Sequence, residues 1–306
     1  MSGYGKAASV DEASGGARSA RRATPAPRRL AGATDSRSAR RVRTPRSHVR
    51  RILCGARLPI APLPSFPIDY VVSRAYNRWQ QKNLGRSMAV ASLLAGLSIL
   101  LIGDSHLAQP NYLIGSLHDA LTRQGAKVHS IGVCGVQPAD WTVRVNGECG
   151  SAERVGNRPA TMTSGAQAHT VPVAQLIDAE HPNLVLVVMG DTMAAYQQVD
   201  FPMNWAWQQV STLTGAIGKT GTQCAWVGPA WGQEGGKFGK TYARAEVMSQ
   251  FLAANVAPCT FIDSLKMSRR GQWPTIDGQH FTAAGYRAWG DAIAHAVVTL
   301  PSVARR

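Results

Sequence analysis

From residue 98 onward, short unbroken apolar runs alternate with longer stretches whose apolar residues recur every three or four positions. The first run, SILLIG (98–103), has the length of a buried strand. YLIGSLHDALTRQG then places Leu113, Leu117 and Leu121 on one helical face and stops at Gly125. AKVHSIGV is a second strand. After a long polar excursion, VAQLIDAEHP forms a short helix that halts before Pro182, and NLVLVVMG is the third strand. MNWAWQQVSTLTGAIGKTG, TQCAWVGPA, KTYARAEVMSQFLAANVA, CTFIDSL and TAAGYRAWGDAIAHAVVTL continue as helix, strand, helix, strand and closing helix.

Strands of this length separated by helices predict βαβ units, hence an α/β fold with a five-stranded parallel sheet covered on both faces. Each strand ends on small or polar residues: Gly103-Asp104-Ser105, Gly132 to Gly135, Gly190-Asp191-Thr192, Gly228-Pro229 and Asp263-Ser264. In such sheets ligands bind beyond the carboxyl ends of the strands, so these five ends should meet at one rim. No GxGxxG or Walker spacing follows the first strand, which disfavours a nucleotide site. Residues 136–172 are rich in Gly, Thr, Asn and Ser, and TVRVNGEC alternates around Asn146-Gly147, predicting a hairpin there.

Charge changes the picture of the whole chain. The net charge is +15 over 306 residues. Residues 1–87 carry 18 Lys and Arg against 4 Asp and Glu; residues 88–306 carry 15 against 14. The basic character therefore belongs to the amino-terminal extension, and residues 88–303 form a nearly neutral domain without a nucleic-acid-binding stripe. The extension is mostly Arg, Ala, Pro, Ser and Thr, a composition that cannot bury enough surface to order itself. Met88 as the true start of the protein is the alternative. The apolar stretch after Met88 is too short for a membrane span, and removing it as a signal peptide would take the first strand with it.

Of five cysteines, Cys134, Cys149, Cys224 and Cys259 lie in the body, none at zinc-ligand spacing. Pairing as Cys134–Cys149 and Cys224–Cys259 would close a local loop and join two successive strands, placing the protein in the periplasm or outside the cell. Four buried thiols are the alternative. No metal or cofactor is expected.

Ser105, at the end of strand one and the start of the next turn, sits where free N–H groups favour developing negative charge. A serine nucleophile needs a base, and the base needs an orienting acid. TIDGQHFTAAG supplies both, with Asp277 and His280 three residues apart ahead of the last helix. Asp104, adjacent to the serine, reads as a turn-fixing carboxylate.

GDSH after strand one, a glycine loop after strand two, a glycine turn after strand three and DxxH before the last helix together resemble the SGNH (GDSL-type) hydrolases. The resemblance covers about residues 98–298. It implies a flavodoxin-like three-layer sandwich and acyl-ester chemistry, with Ser105 as nucleophile, His280 as base and Asp277 as its partner. It also implies an oxyanion hole formed by the Ser105 N–H, the Gly135 N–H and a third donor. Where the family has asparagine, this chain has Thr192. Either its hydroxyl substitutes, or Gln137 or the Asp191 N–H does.

Trp231 and Trp273 fall in predicted rim loops, as does Trp141, and His106 follows the nucleophile; Trp231, Trp273 and His106 are candidate substrate contacts. The expected activity is hydrolysis of an acyl ester, an O-acetyl group foremost, on a small molecule, a carbohydrate or a cell-envelope polysaccharide. An O-acyltransferase with the same three residues and a degenerate polysaccharide-binding protein are the alternatives.

Overall fold

The computed structural model describes residues 93–304. The basic extension 1–87, and with it the start at Met88, lies outside the described residues. Strands β1 (Ser98–Gly103), β2 (Lys127–Val133), β3 (Ser151–Val155), β4 (Thr161–Thr163), β5 (Leu184–Val188), β6 (Gln223–Val227) and β7 (Thr260–Ile262) form one sheet. Its order is β4-β3-β2-β1-β5-β6-β7. The five strands expected from the apolar runs all pair in parallel, β2-β1-β5-β6-β7. Counted among themselves their order is 2-1-3-4-5, the flavodoxin-like arrangement.

The sheet is nevertheless mixed and seven-stranded, which corrects the expected five-stranded parallel sheet. β3 runs antiparallel to β2, and β4 antiparallel to β3. SAERV and TMT carry no apolar run, because a short edge hairpin needs backbone pairing more than it needs a buried face. The predicted hairpin at Asn146-Gly147 does not form. That segment is tied elsewhere: Gly147 N–H donates to the Ala168 carbonyl at 2.7 Å, and Glu148 N–H to the Cys134 carbonyl at 2.9 Å. The turn of the true hairpin falls eleven residues later, around Asn157.

Both faces of the sheet are covered, as the alternation along β1 requires. Ile99 and Leu101 pack with Leu113, Leu117 and Leu121 of helix α1 (Leu113–Arg123), and with Trp289, Ile293 and Val297 of the closing helix Ala283–Val298. Leu100 and Ile102 point the other way, to Val210 and Leu213 of the helix Met203–Gly218 and to Met248 and Leu252 of the helix Tyr242–Asn255. The apolar stretch after Met88 joins the first core from Leu94 onward. Gly132 lets the turn after β1 lie on β2, since a Cβ there would meet the Leu107 backbone at 2.3 Å.

Both expected disulfides form. Cys224–Cys259 joins the start of β6 to the residue before β7 at a Cα separation of 4.6 Å, and Cys134–Cys149 closes the loop after β2 at 5.3 Å. Among the described residues no helix is long and apolar enough to cross a membrane, and no cluster of His, Cys, Asp or Glu could hold a metal ion.

Cross-linking restricts the unfolded chain, so removing either bridge should cost about 2–4 kcal/mol. Denaturant titrations of Cys224→Ser/Cys259→Ser and Cys134→Ser/Cys149→Ser check this. A midpoint unchanged from the oxidised protein would contradict it.

Candidate active site

The end of β1 sets the first element. Asp104 caps the short turn Ser105–Leu107, its carboxylate accepting the His106 N–H at 3.1 Å. It acts as the turn-fixing residue expected, and its complete burial raises its carboxyl above the usual range against the lowering effect of His106. This turn holds the Ser105 side chain at the rim.

The loop before the closing helix supplies the second element. One Asp277 carboxylate oxygen accepts the N–H groups of Gln279 at 3.0 Å and His280 at 2.7 Å. The other lies 2.7 Å from His280 Nδ1. With Nδ1 donating to the carboxylate, Nε2 is free to accept the Ser105 hydroxyl, 2.8 Å away. Asp277, His280 and Ser105 thus form one hydrogen-bonded chain, although 175 residues separate the serine from the histidine. The segment between β6 and the helix Tyr242–Asn255 clamps the loop: Gln233 N–H donates to the Gly278 carbonyl at 2.8 Å and Lys237 N–H to the Asp277 carbonyl at 2.9 Å.

The electrostatics suit a neutral imidazole. Burial lowers the His280 pKa, and the nearby His106 lowers it further, against the raising effect of Asp277. Partial burial would raise Asp277, but the hydrogen bonds it accepts from His280 and Gln279 bring it below the ordinary carboxylate value. Tyr112 stacks on the His280 ring at 5.7 Å, and Phe238 meets it edge-on at 5.4 Å.

A cavity of about 700 Å³ opens at Ser105 and His280. Gly135 and Thr192 lie on its wall. Gly135 has φ +84°, a backbone conformation that favours glycine, and a Cβ there would have to displace the Glu148 side chain. The Thr192 hydroxyl is directed at the Asp104 carboxylate, 3.4 Å away.

The three candidate substrate contacts are elsewhere. His106 is 2% exposed and turned inward, between the Tyr286 hydroxyl at 2.9 Å and the Asp191 carboxylate at 2.7 Å. Trp231 donates its indole N–H to the carbonyls of Leu265 and Ser268 and packs on Tyr242. Trp273 is buried edge-on to Phe281. Trp141 is core as well. Position in a rim loop says nothing about which way a side chain turns, and an indole gains more from burial than from facing water. The cavity is lined instead by Tyr112, Phe238, Glu148, Lys237 and the glutamines Gln109, Gln137, Gln197 and Gln279.

Behind the cavity lies a charged network that no sequence signal announced. Asp191, 2% exposed, pairs with the ammonium of Lys240, itself 3% exposed, at 2.5 Å while also bonding His106. Burial alone would raise the Asp191 carboxyl; Lys240 beside it, with His106, overcomes this and holds it at about 2.

No family profile matches the sequence. Protein BcsX of Komagataeibacter xylinus is 48% identical over 213 residues, 69% of this chain and 80% of that protein. Among solved structures, a GDSL-like lipase from Bacteroides thetaiotaomicron aligns at TM-score 0.42 and 12% identity, over 72% of this chain and 96% of its own. The acetyl xylan esterase AlAXEase aligns at 0.43 and 13%, over 66% of this chain and all of its own. The catalytic domain of peptidoglycan O-acetyltransferase A from Streptococcus pneumoniae aligns at 0.41 and 19%, over 67% and 94%. At such scores and identities, substrate and reaction have to be read from the side chains themselves.

Removing one member of a buried ion pair strands the other, so Lys240→Met should destabilise by about 3–5 kcal/mol, with much of the loss recovered in Lys240→Met/Asp191→Leu. The Asp191 carboxyl titrates lower folded than unfolded, so its stabilisation is complete above about pH 4 and is lost as pH falls through about 2. Urea titrations of the single and double variants from pH 2 to 7 measure both effects.

Proposed function

The chain belongs to the BcsX family, and we propose that it is a serine hydrolase that removes an acyl group, foremost acetyl, from an ester on a carbohydrate. The observation that carries this reading is the hydrogen-bonded chain from Asp277 through His280 to Ser105 at the mouth of the cavity. In the proposed reaction Ser105 Oγ attacks the ester carbonyl carbon and its proton passes to His280 Nε2. The carbonyl oxygen becomes an oxyanion facing the N–H groups of Ser105 and Gly135. The bond to the sugar oxygen then breaks, and His280 returns the proton to that leaving oxygen. A water repeats the sequence, releasing acetate and restoring the serine.

The cavity lining supports a sugar ester. Four glutamine amides offer donors and acceptors without charge, and the Tyr112 and Phe238 rings offer flat apolar faces, the combination that suits a hydroxylated ring. Lys237 and Glu148 contribute one cation and one anion. A smaller cavity shares Gln137, Thr192, Ala195 and Gln197 with the first and continues to Tyr196 and Trp205. That continuity favours a chain over a small ester. The two disulfides support an oxidising location, periplasmic or extracellular.

Hydrolysis of p-nitrophenyl acetate by the full chain tests the mechanism. Ser105→Ala and His280→Ala should each lose at least about 10⁴-fold in kcat. Turnover that survives in Ser105→Ala would refute the serine route, and acetate release from O-acetylated oligosaccharides then tests the substrate class. Because the base must be neutral and its pKa is lowered, kcat/KM should rise with pH through an inflection below the ordinary imidazole value of about 6.5 and stay flat above it. An inflection above that value would contradict the assignment of His280.

A further inference from the structure

The weak point of the oxyanion hole is position 192, where the SGNH pattern calls for an asparagine amide and this chain has threonine. Three groups could supply the missing donor, and the structure separates them. Thr192 has a single hydroxyl proton, and that hydroxyl is directed at the Asp104 carboxylate, 3.4 Å away. Asp191, whose backbone N–H is the second candidate, does not line the cavity and is only 2% exposed.

Gln137 differs on each count. It lines the cavity that holds Ser105, Gly135 and Thr192. Its Nε2 makes one long contact, 3.5 Å, to the Thr192 carbonyl. An amide nitrogen carries two protons, so at least one remains to donate. Its Oε1 is buried without a partner. A buried acceptor left unpaired is destabilising, and no local hydrogen-bond network accounts for holding the amide there. The backbone beneath it is fixed from both sides. Gln137 N–H donates to the Asp140 carboxylate at 2.7 Å, Pro138 opens the following turn, and three residues earlier Cys134 is bridged to Cys149.

We infer that Gln137 is a catalytic residue whose side-chain amide donates the third oxyanion hydrogen bond, taking over from the loop after β2 the role the family gives to an asparagine after β5. The inference rests on the serine mechanism proposed above. When Ser105 Oγ bonds to the carbonyl carbon and its proton moves to His280, the electron pair displaced onto the carbonyl oxygen meets three N–H donors. These come from Ser105, Gly135 and Gln137, and the last two belong to one disulfide-tied loop. Thr192 then has a different part: its hydroxyl faces the carboxylate that caps the nucleophile turn.

The test compares Gln137→Ala, Gln137→Glu, Thr192→Val and Gln137→Ala/Thr192→Asn in the full chain. Two readouts are taken: kcat and KM for p-nitrophenyl acetate, and the rate at which a p-nitrophenyl alkylphosphonate labels Ser105, followed by intact mass. Loss of one oxyanion donor costs about 100- to 1,000-fold, so Gln137→Ala should fall by that much in kcat and in labelling rate, with KM changed by less than about threefold. Gln137→Glu keeps the size of the side chain and should lose at least as much at pH 7. Thr192→Val should lose about tenfold less than Gln137→Ala. Supplying an amide from the other side, in Gln137→Ala/Thr192→Asn, should recover about tenfold or more, which a merely structural glutamine would not allow. Equal thermal melts exclude misfolding as the cause.

The inference is overturned if Gln137→Ala stays within about fivefold of the parent or if Thr192→Val is the more damaged. Failure of the double variant to recover in a folded protein overturns it too. If the parent itself neither turns over nor labels at Ser105, the serine mechanism falls and this inference with it. A parent that labels while Gln137→Ala labels equally fast removes Gln137 alone.

Discussion

Parallel strands cannot be joined by hairpins, so a chain that builds a parallel sheet must carry each strand back through a crossover and deliver all the carboxyl ends to one rim. In this protein that constraint assembles the site. Ser105 follows β1, Gly135 and Gln137 follow β2, Thr192 follows β5, and the clamp of Gln233 and Lys237 follows β6. Asp277 and His280 come from beyond β7, on the loop into the closing helix. That helix packs against the one after β1, so His280 and Ser105 are carried by segments leading into neighbouring elements of the same layer.

The rim also has to be held at fixed spacing, because hydrogen bonds that are 2.7–2.8 Å long tolerate little movement. Two devices do this. The Cys134–Cys149 bridge ties the loop after β2 that carries Gly135 and Gln137. Beneath the cavity, Asp191 draws together Lys240 from the segment after β6 and His106 from the turn that carries Ser105. A buried charge pair contributes little net stability compared with apolar packing. What it provides here is a link between the segments that follow β1, β5 and β6.

Trp231, Trp273 and His106 stand in rim segments, the sequence's reason for pointing to them as substrate contacts, yet all three turn inward to hydrogen bonds or aromatic partners. Glutamines line the cavity in their place. An amide side chain has no periodicity, spacing or composition that marks it, so nothing along the chain singled out Gln109, Gln197 or Gln279. Lys240 was equally silent, since a lysine in a loop is ordinarily solvated and becomes a buried cation only when a carboxylate from elsewhere is placed against it.

The sequence by itself determined the five parallel strands and their helices, because apolar runs and helical periodicity record which faces are buried. It determined the small residues at the strand ends and the Asp277–His280 turn, whose partners are three residues apart, and it left four cysteines whose pairing the fold decided. The tertiary structure alone decided the antiparallel edge β3–β4, which rests on backbone pairing without an apolar pattern. It alone decided the burial of Asp191 with Lys240 and the direction of the rim side chains, and it gave the Ser105–His280 pairing that the resemblance implies its 2.8 Å geometry. Local pattern reports what is buried and what turns. Which side chains face one another across a cavity depends on how separate strand ends pack, and that is a property of the folded sheet.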